Sequence, residues 1–158
     1  MPDHFYRTEQ FLPVTMEKAW DFFSSAKNLS LITPPAMDFK IVSDLTNTPV
    51  YEGMLIDYTV RPLFGIKVQW QTEICKVEKP LFFTDRQVKG PYKLWEHTHT
   101  FIKKSNGVLM KDEVRYRLPL GILGSLMHRL VVRKKLKEIF RYRENTLLKL
   151  FVADGSTH

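Results

Sequence analysis

The chain has 158 residues, 44% hydrophobic and 26% charged, with a formal net charge of +7. That length suits one domain with a substantial core and is too short for two ordinary ones. No stretch approaches the roughly 20 apolar residues that span a bilayer, and the lone Cys75 excludes an internal disulfide or a CxxC zinc pair, reading instead as a buried or half-buried strand residue.

Residues 1–8 carry Asp3, His4 and Arg7 and show no apolar signal core, so a cytoplasmic location is expected. Asp3 to Leu12 predicts a first strand, closed by Pro13. Thr15 is a helix N-cap, and Ala19, Trp20, Phe22, Phe23 and Ala26 follow at helical spacing. Asn28 to Ile32 predicts a second short helix before Pro34-Pro35 forces an extended chain. Six further strands follow by alternation: Asp38 to Val42, Met54 to Val60, Ile66 to Val77, Leu81 to Val88, Lys93 to Lys103 and Val108 to Leu118. Turn chemistry separates them, and Asn106-Gly107 gives the strongest hairpin signal. Such short connectors require antiparallel pairing.

After Pro119 and Gly121 the period changes to near 3.6, and Gly124 to Phe151 predicts one helix on the order of 40 Å long. Val132, Leu136, Ile139, Phe140, Leu147, Leu150 and Phe151 form its apolar face, whereas Leu123, Leu126, Met127 and Leu130 point about a third of a turn away. A bend or a change of covered surface is therefore expected near Leu130 to Val132. Gly121 to Lys149 also holds eight basic residues against Glu138 and Glu144, which is six of the seven excess charges. The expectation is an α+β fold: a curved antiparallel sheet of six or seven strands gripping a long C-terminal helix, with a short helical pair after the first strand. Residues 1–153 make one domain and 154–158 a disordered tail.

Three runs carry a family resemblance: Trp70-x-Thr72-x-Ile74; Phe83-x-Asp85-x-Gln87-x-x-Gly90-Pro91-Tyr92-x-x-Trp95-x-His97-x-His99-x-Phe101; and Met110-x-Asp112-x-Val114-x-Tyr116-x-Leu118-Pro119-x-Gly121. With Leu136-x-x-Ile139-Phe140-x-Tyr142-Arg143, they resemble the bacterial ligand-binding proteins of the SRPBCC superfamily, polyketide cyclase/dehydrase-like members of the Bet v 1/START helix-grip group. The resemblance implies a hydrophobic-ligand pocket between sheet and helix.

Period-two geometry puts Trp95, His97, His99 and Phe101 on one strand face, and the following hairpin puts Met110, Asp112, Val114 and Tyr116 on the same face. If that face is concave, Trp95, His97, His99, Asp112 and Tyr116 form an amphipathic wall; the alternative is a pair of exposed strand histidines beside a surface carboxylate. Trp70, Asp85 and Gln87 join the candidate ligand-binding set, Asp85 and Gln87 without a fixed register. Arg143, bracketed by Ile139, Phe140 and Leu147, is the helix arginine favoured to point inward, where Arg129 and Arg133 are expected to snorkel. A zinc site of His97, His99 and Asp112 is weighed and set aside, and neither metal nor cofactor is expected.

Three functions compete. The favoured one is a carrier or sensor of a lipid, isoprenoid or polyketide-like molecule. The second is a cyclase or dehydratase using a His/Asp acid–base pair in the same cavity. The third docks Lys134, Lys135, Lys137 and Arg141 on anionic membrane or RNA; nucleic acid is disfavoured because no aromatic residues interleave the charges, and peripheral membrane contact stays open. Oligomeric state is left open.

Overall fold

The computed structural model describes residues 3–45, 48–119 and 121–155. Seven strands form one antiparallel sheet: β1 (His4–Leu12), β2 (Lys40–Ile41), β3 (Leu55–Val60), β4 (Val68–Glu78), β5 (Phe82–Lys89), β6 (Leu94–Lys104) and β7 (Gly107–Arg117). Their order is β1-β7-β6-β5-β4-β3-β2, so chain neighbours pair throughout except that β1 returns to lie beside β7. Helix α1 (Met16–Phe23) starts as expected, with Thr15 Oγ1 accepting from the Lys18 amide at 3.1 Å. Two short 3-10 turns, Ala26–Ser30 and Pro35–Met37, complete the helical cap.

The strand expected over residues 38–42 shrinks to two residues. Asp38 leaves the Pro35–Met37 turn in a left-handed conformation at φ 48°, and extended pairing resumes only at Lys40. The β6–β7 hairpin pairs Lys104 with Gly107 across Ser105-Asn106, and that register sets His99 opposite Asp112 and Trp95 opposite Tyr116. Gly107 keeps an ordinary φ; a Cβ there would strike the Leu12 carbonyl and the Phe11 ring, so the glycine admits the close approach of β1.

The C-terminal helix begins earlier and ends later than expected: α2 (Gly121–Met127), a π-helical segment His128–Val132, and α3 (Arg133–Gly155) run on in sequence. Of the expected tail, residues 154–155 end α3 and 156–158 lie outside the described residues. The π segment widens the local turn and rotates the apolar stripe. Leu123, Leu126 and Leu130 are thereby left exposed, while Val132 and Leu136 are 1% and 2% exposed. Leu150, expected on the buried stripe, is also exposed, whereas Leu147 and Phe151 are buried. Among the described residues, no helix is long and apolar enough to cross a membrane.

The core falls into two apolar clusters. One gathers Leu12, Trp20, Phe23, Phe101, Met110 and Leu147 under the helical cap. The other gathers Val60, Trp70, Val114, Tyr116, Val132 and Phe140 toward the π segment.

Candidate functional site

Along three elements the two clusters are interrupted at the same level. On β6 the chain passes from Trp95 to Phe101 through His97 and His99; on β7 from Val114 to Met110 through Asp112; on α3 from Phe140 to Leu147 through Arg143. These four polar residues are each 5–8% exposed and form a belt across an otherwise apolar interior. Buried groups of this kind persist only when partnered. His97 Nε2 lies 2.7 Å from Asp112 Oδ1, and His99 Nδ1 lies 3.3 Å from the same oxygen. His99 Nε2 meets Asp85 Oδ2 at 2.8 Å, and Arg143 Nη2 reaches Asp112 at 3.2 Å. The two imidazoles stack at 3.8 Å between centroids, with the Phe83 ring on the other side of His99 at 4.3 Å.

Two stacked imidazoles in a dry interior do not both carry charge. Burial, and then the neighbouring His99, hold His97 below its ordinary range despite Asp112. Burial acts on His99 in the same sense and is its largest single influence, but hydrogen bonds to Asp112 and Asp85 together outweigh it and raise His99. Asp112 is likewise disfavoured by burial, yet Arg143 and the two histidines hold its carboxyl well below the usual range. Taken jointly, these directions make His99 the more readily protonated ring of the pair and His97 the less. His97 then donates from Nε2 to Asp112, and its Nδ1 has no partner among the described residues.

A cavity of about 190 Å³ lies between the sheet and α3. Six of the sequence-derived candidates line it: Trp70, Asp85, Trp95, His97, His99 and Arg143. Three do not. Asp112 stands behind the histidines, facing a second recess between β1 and α3 that it shares with Arg143, Thr8 and Lys137. Tyr116 is 1% exposed, and its hydroxyl shares a 2.6 Å hydrogen bond with His128 Nε2; burial pushes its phenol up to about 12. Gln87 braces the β5–β6 connection, donating to the Tyr92 carbonyl at 2.7 Å and accepting from the Tyr92 amide at 3.1 Å. Arg143 is buried and Arg129 and Arg133 are exposed, while Lys135 lines the cavity.

Other lining residues escaped the sequence reading. Tyr58 shares a 3.5 Å contact with the Thr72 hydroxyl, and burial pushes the Tyr58 phenol well up. Tyr92 completes an aromatic group with Trp70 and Trp95, at 5.7 and 4.8 Å between centroids. Alternation places Thr72 beside Trp70 and Ile74, and Tyr58 beside Ile56 and Val60, so a signal was present; Tyr92 sits in a turn, where alternation says nothing. Trp70 Nε1 and Arg143 Nε are buried without a hydrogen-bond partner.

No family model matches the chain, and no curated protein matches it by sequence. Solved structures do match. A protein of Thermus thermophilus superposes with a TM-score of 0.67 at 22% identity, over 98% of this chain and 100% of that one. A norcoclaurine synthase point mutant of Thalictrum flavum, solved with a transition-state analogue, gives 0.69 at 14% identity over 98% of each chain. The di-domain ARO/CYC StfQ of the steffimycin biosynthetic pathway gives 0.74 at 13% identity, over 99% of this chain and 52% of that one. What these share with the chain is the architecture: a seven-stranded antiparallel sheet and a long C-terminal helix in the helix-grip arrangement.

Proposed function

We propose that this SRPBCC-like protein carries or senses a small, largely apolar molecule held between sheet and helix. The observation that carries the reading is the cavity wall. Aromatic and aliphatic side chains make up most of it, with a cluster of Asp85, His97, His99 and Arg143 at one place and a few other polar groups, Thr72 and Lys135 among them, the composition of a site that buries an apolar body and orients a polar end. At about 190 Å³ the cavity exceeds the ~150 Å³ void that admits benzene in another protein. A ligand of one to a few rings, or an equivalent chain, fits that scale. That two architectural neighbours work on small molecules, as a synthase and in a biosynthetic pathway, supports the same use of this fold.

A second reading is acid–base catalysis on the bound molecule, and one observation favours it. His97, held below its ordinary range by burial and oriented by Asp112, lines the cavity wall with its second ring nitrogen free of a hydrogen-bond partner, the arrangement of a positioned general base.

Trp70 and Trp95 line the cavity, so occupancy is read by quenching of their fluorescence. Titration with neutral one- to three-ring aromatics is expected to quench saturably, and Ile139→Phe, which fills the cavity, to weaken the effect at least tenfold. Native mass spectrometry of protein from its own host is expected to retain a small molecule. Absence of saturable quenching together with a bare mass refutes the carrier reading. Histidine titration by NMR separates the two readings: catalysis requires the His97 signal to respond to ligand, and an unresponsive pair ends it.

A further inference from the structure

His99 has a carboxylate oxygen at each ring nitrogen, Asp85 Oδ2 at 2.8 Å from Nε2 and Asp112 Oδ1 at 3.3 Å from Nδ1. Arg143 Nη2 also lies 3.5 Å from Nδ1, so a neutral His99 with its one N–H on Nε2 donates to Asp85 and accepts from the guanidinium, whereas one with its N–H on Nδ1 donates to Asp112 and turns the Nε2 lone pair on Asp85. In the second tautomer a cation belongs between Nε2 and the Asp85 carboxylate, and either a proton or a metal ion supplies it.

The surroundings match the second occupant in three respects. Asp85, His97 and His99 each offer a donor atom, all within 4.8 Å of one another. Asp112 engages the outward nitrogen of both rings, His97 Nε2 at 2.7 Å and His99 Nδ1 at 3.3 Å, which is how a carboxylate behind a metal-binding histidine fixes its tautomer and orientation. That leaves His99 Nε2 and the unpartnered Nδ1 of His97 as the available lone pairs. Charge also fits. With both imidazoles neutral, Asp85 and Asp112 against Arg143 leave one net negative charge in a buried site.

We propose that Asp85, His97 and His99 form a binding site for a divalent first-row transition-metal ion in the cavity wall, with Asp112 and Arg143 as its supporting pair. Donor-to-metal distances of about 2.0–2.2 Å place tetrahedral donors on the order of 3.4 Å apart. The His99–Asp85 pair, 2.8 Å apart, therefore opens by roughly 0.6 Å, and donors that now lie up to 4.8 Å apart close by up to about 1.4 Å. Two histidines and one carboxylate leave open positions on the ion, and these face the cavity. The metal-loaded site carries one net positive charge, so the class of molecule completing it presents an anionic oxygen: a carboxylate, enolate or phenolate. This last step rests on the ligand reading above; the metal site does not.

The test is titration of the full-length protein with Co²⁺, read by its visible d–d bands. Bands saturating at one equivalent and displaced by Zn²⁺ are expected. Asp85→Asn and His99→Gln should each weaken binding about tenfold or more, with folding checked by circular dichroism. Asp85 is the more exposed ligand, so Asp85→Asn decides the matter if His99→Gln does not fold. The double change His4→Gln/His128→Gln removes the other stacked histidine pair and should leave the bands unaltered. Absence of bands, bands that persist in Asp85→Asn, or bands lost with His4 and His128 would each overturn the site. Metal-free fluorescence titration on the same samples keeps the two readings apart: quenching by neutral aromatics without a cobalt spectrum ends the metal site and leaves the carrier.

Discussion

Two histidine pairs stack within this one domain. His97 and His99 lie 3.8 Å apart between ring centroids, and His4 and His128 lie 3.6 Å apart. The first pair is buried with Asp85, Asp112 and Arg143 against it; the second is half-buried, and His128 meets the Tyr116 hydroxyl. Stacking alone therefore does not decide how a pair titrates. Carboxylates in a dry setting raise His99 above its ordinary range, whereas burial, then His4 and Arg133, hold His128 below it. The difference between the two regions lies in what the sheet and helix bring to the outward nitrogens.

The comparison breaks most severely at Asp112. It balances Arg143 and receives both inner histidines, so Asp112→Asn leaves a buried guanidinium without its anion. A loss of about 3–5 kcal/mol is expected in urea denaturation. The double replacement Asp112→Leu/Arg143→Met removes both charges and should recover a large part of that loss. Strictly additive losses would mean that Arg143 draws its compensation elsewhere and that the belt is not one unit.

The extent to which this belt could be read in advance varied with the device that built it. Alternation along residues 95–101 and 110–116 put His97, His99 and Asp112 on one face, and the short hairpin left little freedom in their pairing. Helical spacing placed Arg143 between Phe140 and Leu147, hence inward. Asp85 resisted, because the connection through Gly90-Pro91 left the register of β5 against β6 open; the two strands pair without a shift and set Asp85 opposite His97. Gln87 shares Asp85's strand face, yet the turn at Gly90 draws it into bracing the backbone: a Cβ on Gly90 would lie 2.5 Å from the Gln87 oxygen. The π segment showed itself only as a change of apolar phase near Leu130, which did not reveal that the leucines before it would remain exposed.

A smaller effect belongs to the outer pair. Tyr116→Phe removes the hydroxyl that meets His128 and leaves the ring in place. A cost of about 0.5–1.5 kcal/mol is expected, far below that of Asp112→Asn. Comparable costs would show the outer pair to be as deeply committed to the fold as the inner one.

The smallest effect is one of pH. An unfolded histidine takes up its proton near pH 6.5. Folded His128 does so at lower pH, because burial, then His4 and Arg133, oppose its charge. Between those two values the unfolded chain binds more protons than the folded one, so His128 makes stability fall as pH falls through about 6.5. His97 acts in the same sense and His99 in the opposite one, so the wild-type profile alone mixes all three. Subtraction isolates the outer pair: melting temperatures of wild type and His128→Gln, followed from pH 7.5 to 5, should converge on acidification. Parallel curves would place the His128 proton outside the folding equilibrium, and the contrast between the two pairs would then rest on the carboxylates alone.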